Sequence, residues 1–298
     1  MHLKDCITLY ISQNLNKNDV KINDFLRIYA HMKDVSLSFV YTNLDSIILS
    51  EDEKNTYVLD LDKYYKQNIP LQYILEIQPF YNENYIVNED VLVPRADTEI
   101  LVENAIKYII KFKLKNMIDM CTGSGCVGIS VARNSIIAGK YALNEVYLVD
   151  VSKKALKVAK ENIKLNGLLD YDIKLINSDM FNYFLNTQSK KYINRFDIIV
   201  SNPPYIRTKD IDGLDKHVKS EPLIALDGGE DGLYFYNIIL KESPQILRDG
   251  GFLLFEIGYD QLDDFKKLIL EYKKFEFVEC IKDLSGNDRV VVCRFHQQ

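Results

Sequence analysis

From about residue 97 onward, short apolar runs alternate with amphipathic stretches, and this alternation constrains the fold of the 298-residue chain more than any other feature. Asn116–Met120, Glu145–Asp150, Asp172–Asn177, Phe196–Ser201 and Gly251–Ile257 are short apolar segments bounded by turn residues, and each reads as a strand. Val278–Ile281 and Val290–Phe295 read as a closing pair of strands. Helices fit Lys153–Leu165, which Ser152 can cap, and also Gly232–Leu247 and Gln261–Tyr272. Such a series predicts an α/β fold with a doubly wound, mostly parallel sheet. A ligand of such a sheet binds beyond the carboxyl ends of its strands.

Residues 1–75 follow a different rule. Leu3, Cys6, Ile7, Tyr10, Ile11 and Leu15 recur at helical spacing, as do Ile22, Phe25, Leu26, Tyr29 and Met32. Ser50 and Glu53 form the sequence of a capping box, ahead of a face made by Tyr57, Leu61 and Tyr64. These stripes predict packed helices. With 8 basic and 10 acidic residues, the segment is not a basic nucleic-acid arm. Between the two regions, Phe80-Tyr81 and Tyr85-Ile86-Val87 flank Asn82-Glu83-Asn84, which predicts a β-hairpin with those three residues as its turn. The expected organisation is therefore a helical domain over 1–75, a hairpin connector over 76–96 and an α/β domain over 97–298.

Composition removes several function classes. Apolar residues make up 47% of the chain, enough for a sizeable core. The net charge of −6 argues against stable, sequence-independent nucleic-acid binding. Five scattered cysteines and four histidines form no CxxC or HxxxH pattern, so no metal site or disulfide framework is expected. The N-terminus lacks an uninterrupted apolar stretch of signal-peptide type, and no run is long enough to span a bilayer. The expectation is a cytoplasmic protein without membrane association.

Four strand ends carry candidate chemistry. After the first strand of the α/β region comes Cys121-Thr122-Gly123-Ser124-Gly125, a glycine-containing loop that opens a helix and can cradle an anionic group. An ordinary strand-to-helix turn has the same appearance. Asp150 ends the next strand, where a carboxylate can accept both ribose hydroxyls of a nucleoside. Asp179 and Met180 follow the third, where they could meet an adenine amine and ring, though a solvated turn fits as well. The fourth, Asn202-Pro203-Pro204-Tyr205, is the most informative. Two prolines remove two backbone donors and leave carbonyl acceptors, and Asn202 adds a side-chain acceptor. Two acceptors on one rim suit a planar NH2 group, on which Tyr205 could stack.

The Asn-Pro-Pro-Tyr motif, with its glycine loop and strand-end Asp150, resembles the S-adenosylmethionine-dependent amino-methyltransferases. More specific blocks are Val91-Leu92-Val93-Pro94-Arg95-Ala96-Asp97-Thr98-Glu99, Glu221-Pro222 with Ala225-Leu226, and Gly228-Gly229-Glu230-Asp231-Gly232. Glu256-Ile257-Gly258 with Gln261, and Asp283-Leu284-Ser285-Gly286 before Arg289-Val290-Val291, extend the likeness over nearly the whole chain. The chain thereby resembles the glutamine methyltransferases of peptide chain release factors. That resemblance implies a Rossmann-like class I methyltransferase fold with a seven-stranded sheet, S-adenosylmethionine as methyl donor, and class I release factors as partners. The target it implies is the glutamine of their Gly-Gly-Gln tripeptide.

Carried over by position, Cys121, Thr122, Gly123, Ser124 and Gly125 would hold the methionine end of the cofactor, Asp150 the ribose, and Asp179 and Met180 the adenine. Asn202 and Pro203 would accept from the substrate amide, beside Pro204 and Tyr205, and Arg95 and Thr98 would help close the site. The helical domain would dock the protein substrate. Two departures stand out: Ala96 replaces the family's usual proline, and Cys121 its usual glycine. Cys121 is expected to fit only if its backbone avoids positive φ. A methyltransferase of exocyclic base amines shares the two-acceptor logic, and a non-catalytic cofactor-binding module is a second alternative.

Overall fold

The computed structural model of the chain describes residues 1–16, 20–139, 143–186 and 190–297. It divides into two units, one made of Met1–Ile77 with Asp215–Ser220 and the other of Gln78–Leu214 with Glu221–Gln298. Among the described residues no helix is long and apolar enough to cross a membrane.

The first unit holds α1 (Leu3–Asn14), α2 (Ile22–Met32), α3 (Leu37–Asn43), α4 (Glu51–Tyr65) and α5 (Leu71–Ile74). The apolar stripes meet in one core built on Leu3, Phe25, Leu26, Val40, Tyr57 and Leu61. Ile22, expected on the inner face of α2, is exposed at the helix start. The capping box forms as its sequence predicts: Glu53 N donates to Ser50 Oγ at 3.2 Å and Ser50 N to Glu53 Oε2 at 2.8 Å. Two core tyrosines pair their hydroxyls inside the unit. Tyr64 donates to Asp24 at 2.8 Å and Tyr57 to the Phe25 carbonyl at 3.0 Å. His217 stacks on Tyr64 with ring centroids 4.7 Å apart, which ties Asp215–Ser220 to this unit.

The hairpin strands are β1 (Ile77–Phe80) and β2 (Glu83–Ile86). Its turn is Tyr81-Asn82, with Tyr81 at φ 57°, and not the expected Asn82-Glu83-Asn84. Glu83 is drawn into the strand because it faces inward beside Tyr85. There it accepts from Ser130 at 2.9 Å and from Asn134 at 2.8 Å.

The elements of the sheet follow: α6 (Glu99–Phe112), β3 (Asn116–Met120), α7 (Cys126–Gly139), β4 (Glu145–Asp150), α8 (Lys153–Leu165), β5 (Ile173–Asn177), α9 (Asn182–Leu185) and β6 (Phe196–Ser201). After α10 (Lys216–Lys219), the short helix of the first unit's inserted segment, come α11 (Tyr234–Glu242), β7 (Leu247–Glu256), α12 (Leu262–Glu271), β8 (Phe275–Lys282) and β9 (Asp288–Phe295). The seven strands run in the order β5-β4-β3-β6-β7-β9-β8. All pairs from β5 to β7 are parallel, and β9 is antiparallel to both β7 and β8. Successive residues serve opposite faces. Met117, Leu148, Ile198 and Val200 pack on one side, while Ile118, Tyr147, Val149 and Ile199 pack on the other. Every residue of β6 is buried, as a central strand covered on both faces requires.

The helix expected over Gly232–Leu247 is shorter. Gly232 sits at φ 75°, so the helix starts only at Tyr234, and it ends at Glu242 before Pro244, which lies in a tighter 3-10 turn. Leu247 already belongs to β7, four residues earlier than expected. The direction of connection reverses between β3 and β6, and the crevice lies at that switch point.

Asn162, wholly buried on α8, joins the hairpin to the loop after β3. Its Oδ1 accepts from Ile86 N at 2.6 Å, while Nδ2 donates to Ile86 O at 3.0 Å and to Ser124 O at 2.9 Å. Asn162→Ala leaves three backbone groups without this partner and is expected to lower stability by roughly 2–3 kcal/mol in urea denaturation. An unchanged midpoint would show that the hairpin is held by other contacts.

Candidate active site

The carboxyl ends of β3, β4, β5 and β6 open onto a cavity of about 300 Å³. Of the residues singled out from sequence, Cys121, Thr122, Gly123, Ser124, Asp150, Asp179, Met180, Asn202 and Pro204 line it, together with Arg95 and Thr98. Gly125, Pro203 and Tyr205 do not. Gly125 sits at φ 82°, and a Cβ there would lie 2.8 Å from Ile129, so it serves the turn and its packing. Tyr205 directs its hydroxyl at Glu256 Oε1, 3.2 Å away.

The loop after β3 is shaped by Asp119, a wholly buried carboxylate at the head of the glycine-loop segment to which the sequence assigns no separate role. Its Oδ2 accepts from the Thr122 hydroxyl at 2.5 Å and from Gly128 N at 2.9 Å, which binds the loop to the start of α7. The place of an acid two residues before a glycine loop was the available signal. Cys121 adopts φ 61°, contrary to the expectation that a side chain there implies an ordinary backbone. The left-handed region costs a non-glycine residue about 1–2 kcal/mol. The surrounding contacts impose it: Thr122 N donates to Val149 O at 3.0 Å, and the Asp119 bonds fix the next turn. The Cys121 Sγ lies 4.0 Å from Met180 Sδ, itself at φ 44°.

Asp150 is set at its strand end by backbone N–H groups on both sides. Oδ2 accepts from Gly123 N at 2.9 Å and Oδ1 from Ser152 N at 2.8 Å. One loop amide is therefore fixed by the carboxylate that borders the cavity.

The Asn202–Tyr205 turn is held from outside. Ile206 N donates to Leu226 O at 3.1 Å, Gly228 N to Ile206 O at 2.8 Å, and Gln261 Nε2 to Tyr205 O at 2.9 Å. The Gly-Gly-x-Asp-Gly block explains itself here. A Cβ at Gly228 would lie 2.6 Å from Tyr205 Cα, and one at Gly232 would lie 2.4 Å from Tyr205 O. Asn202 Nδ2 donates to Thr98 Oγ1 at 3.1 Å. Across the mouth, Arg95 pairs with buried Glu221, whose other oxygen accepts from Val93 N at 2.9 Å.

Two carboxyls near the cavity have strongly altered acidity. Burial pushes Asp119 from 3.8 to about 7, against the opposing bonds from Thr122 and Gly128. Burial likewise pushes Glu256 from 4.5 to about 7, with the Thr98 hydroxyl and the Arg289 charge acting against it. Both groups keep their protons in the folded chain at pH values where the unfolded chain has lost them. Their contribution is complete below about pH 4 and disappears as pH rises through about 7. Glu145 has the opposite sign: burial raises it, but bonds from Lys174 and Arg195 outweigh this, so its contribution is lost only in acid. The thermal midpoint should therefore fall between pH 5 and pH 8, and Asp119→Asn should flatten part of that slope. A midpoint that rises over the same interval contradicts the assignment.

Comparison with known proteins agrees with this geometry. The methyltransferase small domain family matches residues 96–218. A methyltransferase solved in complex with SAH superimposes with a TM-score of 0.51 at 16% identity, covering 71% of this chain and 53% of that one, a likeness of fold. With the sheet order described above, it makes the second unit a class I methyltransferase fold. The release factor glutamine methyltransferase of Clostridium botulinum is 42% identical over 259 residues, 86% of each chain. That of Clostridium acetobutylicum is 36% identical over 301 residues, 98% of each. Likeness of this extent, reaching across both the helical segment and the sheet, means that the chain belongs to the release factor glutamine methyltransferase family.

Proposed function

We infer that this chain transfers a methyl group from S-adenosylmethionine to the side-chain amide nitrogen of the glutamine in the Gly-Gly-Gln motif of class I release factors. The observation that carries this reading is the setting of Asn202. It stands at the tip of β6 on the cavity wall, and its Nδ2 is spent on Thr98. That leaves Oδ1 as the free end of the amide. An acceptor at this rim suits a carboxamide NH2, which has two protons to give.

The cavity suits the donor. Gly123 leaves open space where a Cβ would stand, Asp150 offers a fixed carboxylate for two hydroxyls, and α7 begins at the loop with its backbone N–H groups. Cys121 through Ser124 would hold the methionine end, Asp150 the ribose, and Asp179 with Met180 the adenine. When bound, the sulfonium supplies an electrophilic methyl group.

The chain's own task is positioning. An amide nitrogen is a poor nucleophile because its lone pair is shared with the carbonyl. Asn202 Oδ1 and the Pro203 carbonyl would each accept one N–H, turning the lone pair toward the methyl and favouring a pyramidal nitrogen. Fixed alignment of this kind supplies up to about 7–11 kcal/mol in favourable cases. Transfer would form one N–C bond as the sulfonium S–CH3 bond breaks, leaving S-adenosylhomocysteine, and would release one amide proton to water. The helical unit would carry the contacts to the body of the release factor, a substrate that keeps the enzyme in the cytoplasm.

Labelled methyl transfer to a recombinant release factor, set beside a copy with that glutamine changed, tests the substrate. Label is expected on the first alone, and equal labelling of both removes the glutamine as target. Asn202→Ala should reduce turnover roughly 100-fold or more while cofactor affinity stays nearly constant. Equal losses of turnover and affinity would contradict its assigned role. Asp150→Ala should do the reverse, weakening cofactor binding in calorimetry by about 1.5–3 kcal/mol. Unchanged binding would take the ribose from Asp150.

A further inference from the structure

The walls of the cavity are unevenly charged. Four carboxyls border it, those of Asp90, Asp119, Asp150 and Asp179. Among the described residues that line it, Arg95 alone carries a permanent positive charge. The methyl donor inferred above has two positive groups, a sulfonium and an ammonium, and one negative group, a carboxylate. Acids suit the first two and the ribose hydroxyls, and of the lining side chains only Arg95 suits the third. The loop after β3 has less to offer an anion than its glycines suggest, because three of its amides are already committed. Thr122 N donates to Val149 O at 3.0 Å, Gly125 N to Thr122 O at 2.8 Å and Gly123 N to Asp150 Oδ2 at 2.9 Å.

Arg95 has donors to spare. A guanidinium carries five N–H groups. Its Nη2 pairs with Glu221, whose side chain is 1% exposed and whose other oxygen accepts from Val93 N at 2.9 Å. Both Glu221 oxygens are engaged, so this buried carboxylate anchors the guanidinium. Among the described residues, Arg95 Nε and Nη1 make no hydrogen bond. The Arg95 side chain is 38% exposed, which leaves those groups within reach of a ligand. Strand order sets Arg95 at the matching end of the cavity. The strands β5, β4, β3 and β6 lie side by side in that sequence. With adenine at the tip of β5 and ribose at the tip of β4, the amino-acid end would fall toward β3 and β6. Arg95 stands three residues before Thr98, which accepts from Asn202 at the tip of β6.

We propose that Arg95, anchored by Glu221, receives the carboxylate at the amino-acid end of the methyl donor. This rests on the reading of the donor given above. The uncommitted N–H groups donate to the carboxylate oxygens, and the charge favours an ionised acid over a neutral group of the same shape. Arg95 thereby sets a preference for adenosyl ligands with an acidic tail over those without one.

The test is calorimetry on the full-length wild type, Arg95→Ala and Arg95→Lys. The ligands are S-adenosylhomocysteine and its carboxamide, in which the acid is replaced by a neutral group of nearly equal shape. Wild type is expected to bind the acid roughly 10-fold to 100-fold more tightly than the carboxamide. Arg95→Ala should lose most of that preference, by weakening the acid and leaving the carboxamide nearly where it was. Arg95→Lys, which keeps a charge beside Glu221 without the planar fork, should retain only part of it. A wild-type preference that survives in Arg95→Ala overturns the proposal. So does an equal loss for both ligands, the mark of a residue that only neutralises Glu221 and supports the wall. Where Arg95→Ala fails to fold because Glu221 is left buried without its partner, Arg95→Lys decides. A preference cut several-fold supports the role, and an unchanged one overturns it. A wild type that binds both ligands alike keeps the donor and removes the role of Arg95. One that binds neither removes the donor itself, and the proposal with it.

Discussion

Two consecutive prolines leave the turn at the tip of β6 without two of its backbone donors, so it cannot hold its own shape. Every neighbour that matters supplies what the turn lacks. Ser201 Oγ anchors its start to Met120 O at 2.7 Å, and Gln261 anchors its end through Tyr205 O. Gln261 is itself fixed, because its Oε1 accepts from Gly258 N at 2.8 Å. The glycines at 228 and 232 are there so that two stretches of backbone can touch. These residues come from distant parts of the chain, yet they serve one requirement: a rigid rim whose free polar atoms are acceptors.

The second theme is the burial of acids around the cavity. Asp119, Glu221 and Glu256 are each almost wholly enclosed. Burying a carboxylate is unfavourable unless its lone pairs are used. Asp119 uses them to shape the loop after β3, and Glu221 to hold Val93 and Arg95. Glu256 accepts the Tyr205 hydroxyl on one oxygen, while its Oε2 has no hydrogen-bond partner among the described residues. The positive φ of Cys121 and Met180 belongs to the same account. Backbone strain is tolerated where the surrounding bonds define the geometry more strongly than local preference does.

Much of this was legible in the sequence. Apolar segments with turn residues at their ends located most of the strands, and the Ser50–Glu53 pair announced its helix start because capping is a local interaction. Residues at the strand tips were also legible, since topology alone places the ends of parallel strands together. The hairpin turn was misplaced by one register because Glu83 looks like a turn residue until Ser130 and Asn134 are seen to receive it. The helix before β7 was drawn too long because the demand on Gly232 comes from Tyr205 and Gln261, which lie elsewhere in the chain.

The sequence by itself determined the alternation of strands and helices, the chemistry available at each strand end and, through its motifs, the family. Periodicity and local hydrogen bonding act over a few residues, so they can be read along the chain. Only the tertiary structure decided which of those residues face the cavity and which support it. Tyr205 and Gly125 moved to the supporting side, while Asp119 and Glu256, to which the sequence assigns no individual role, became buried carboxyls beside the cavity. The reason is that burial and the direction of a hydrogen bond depend on partners brought from far along the chain, and those partners exist only once the sheet has closed around them.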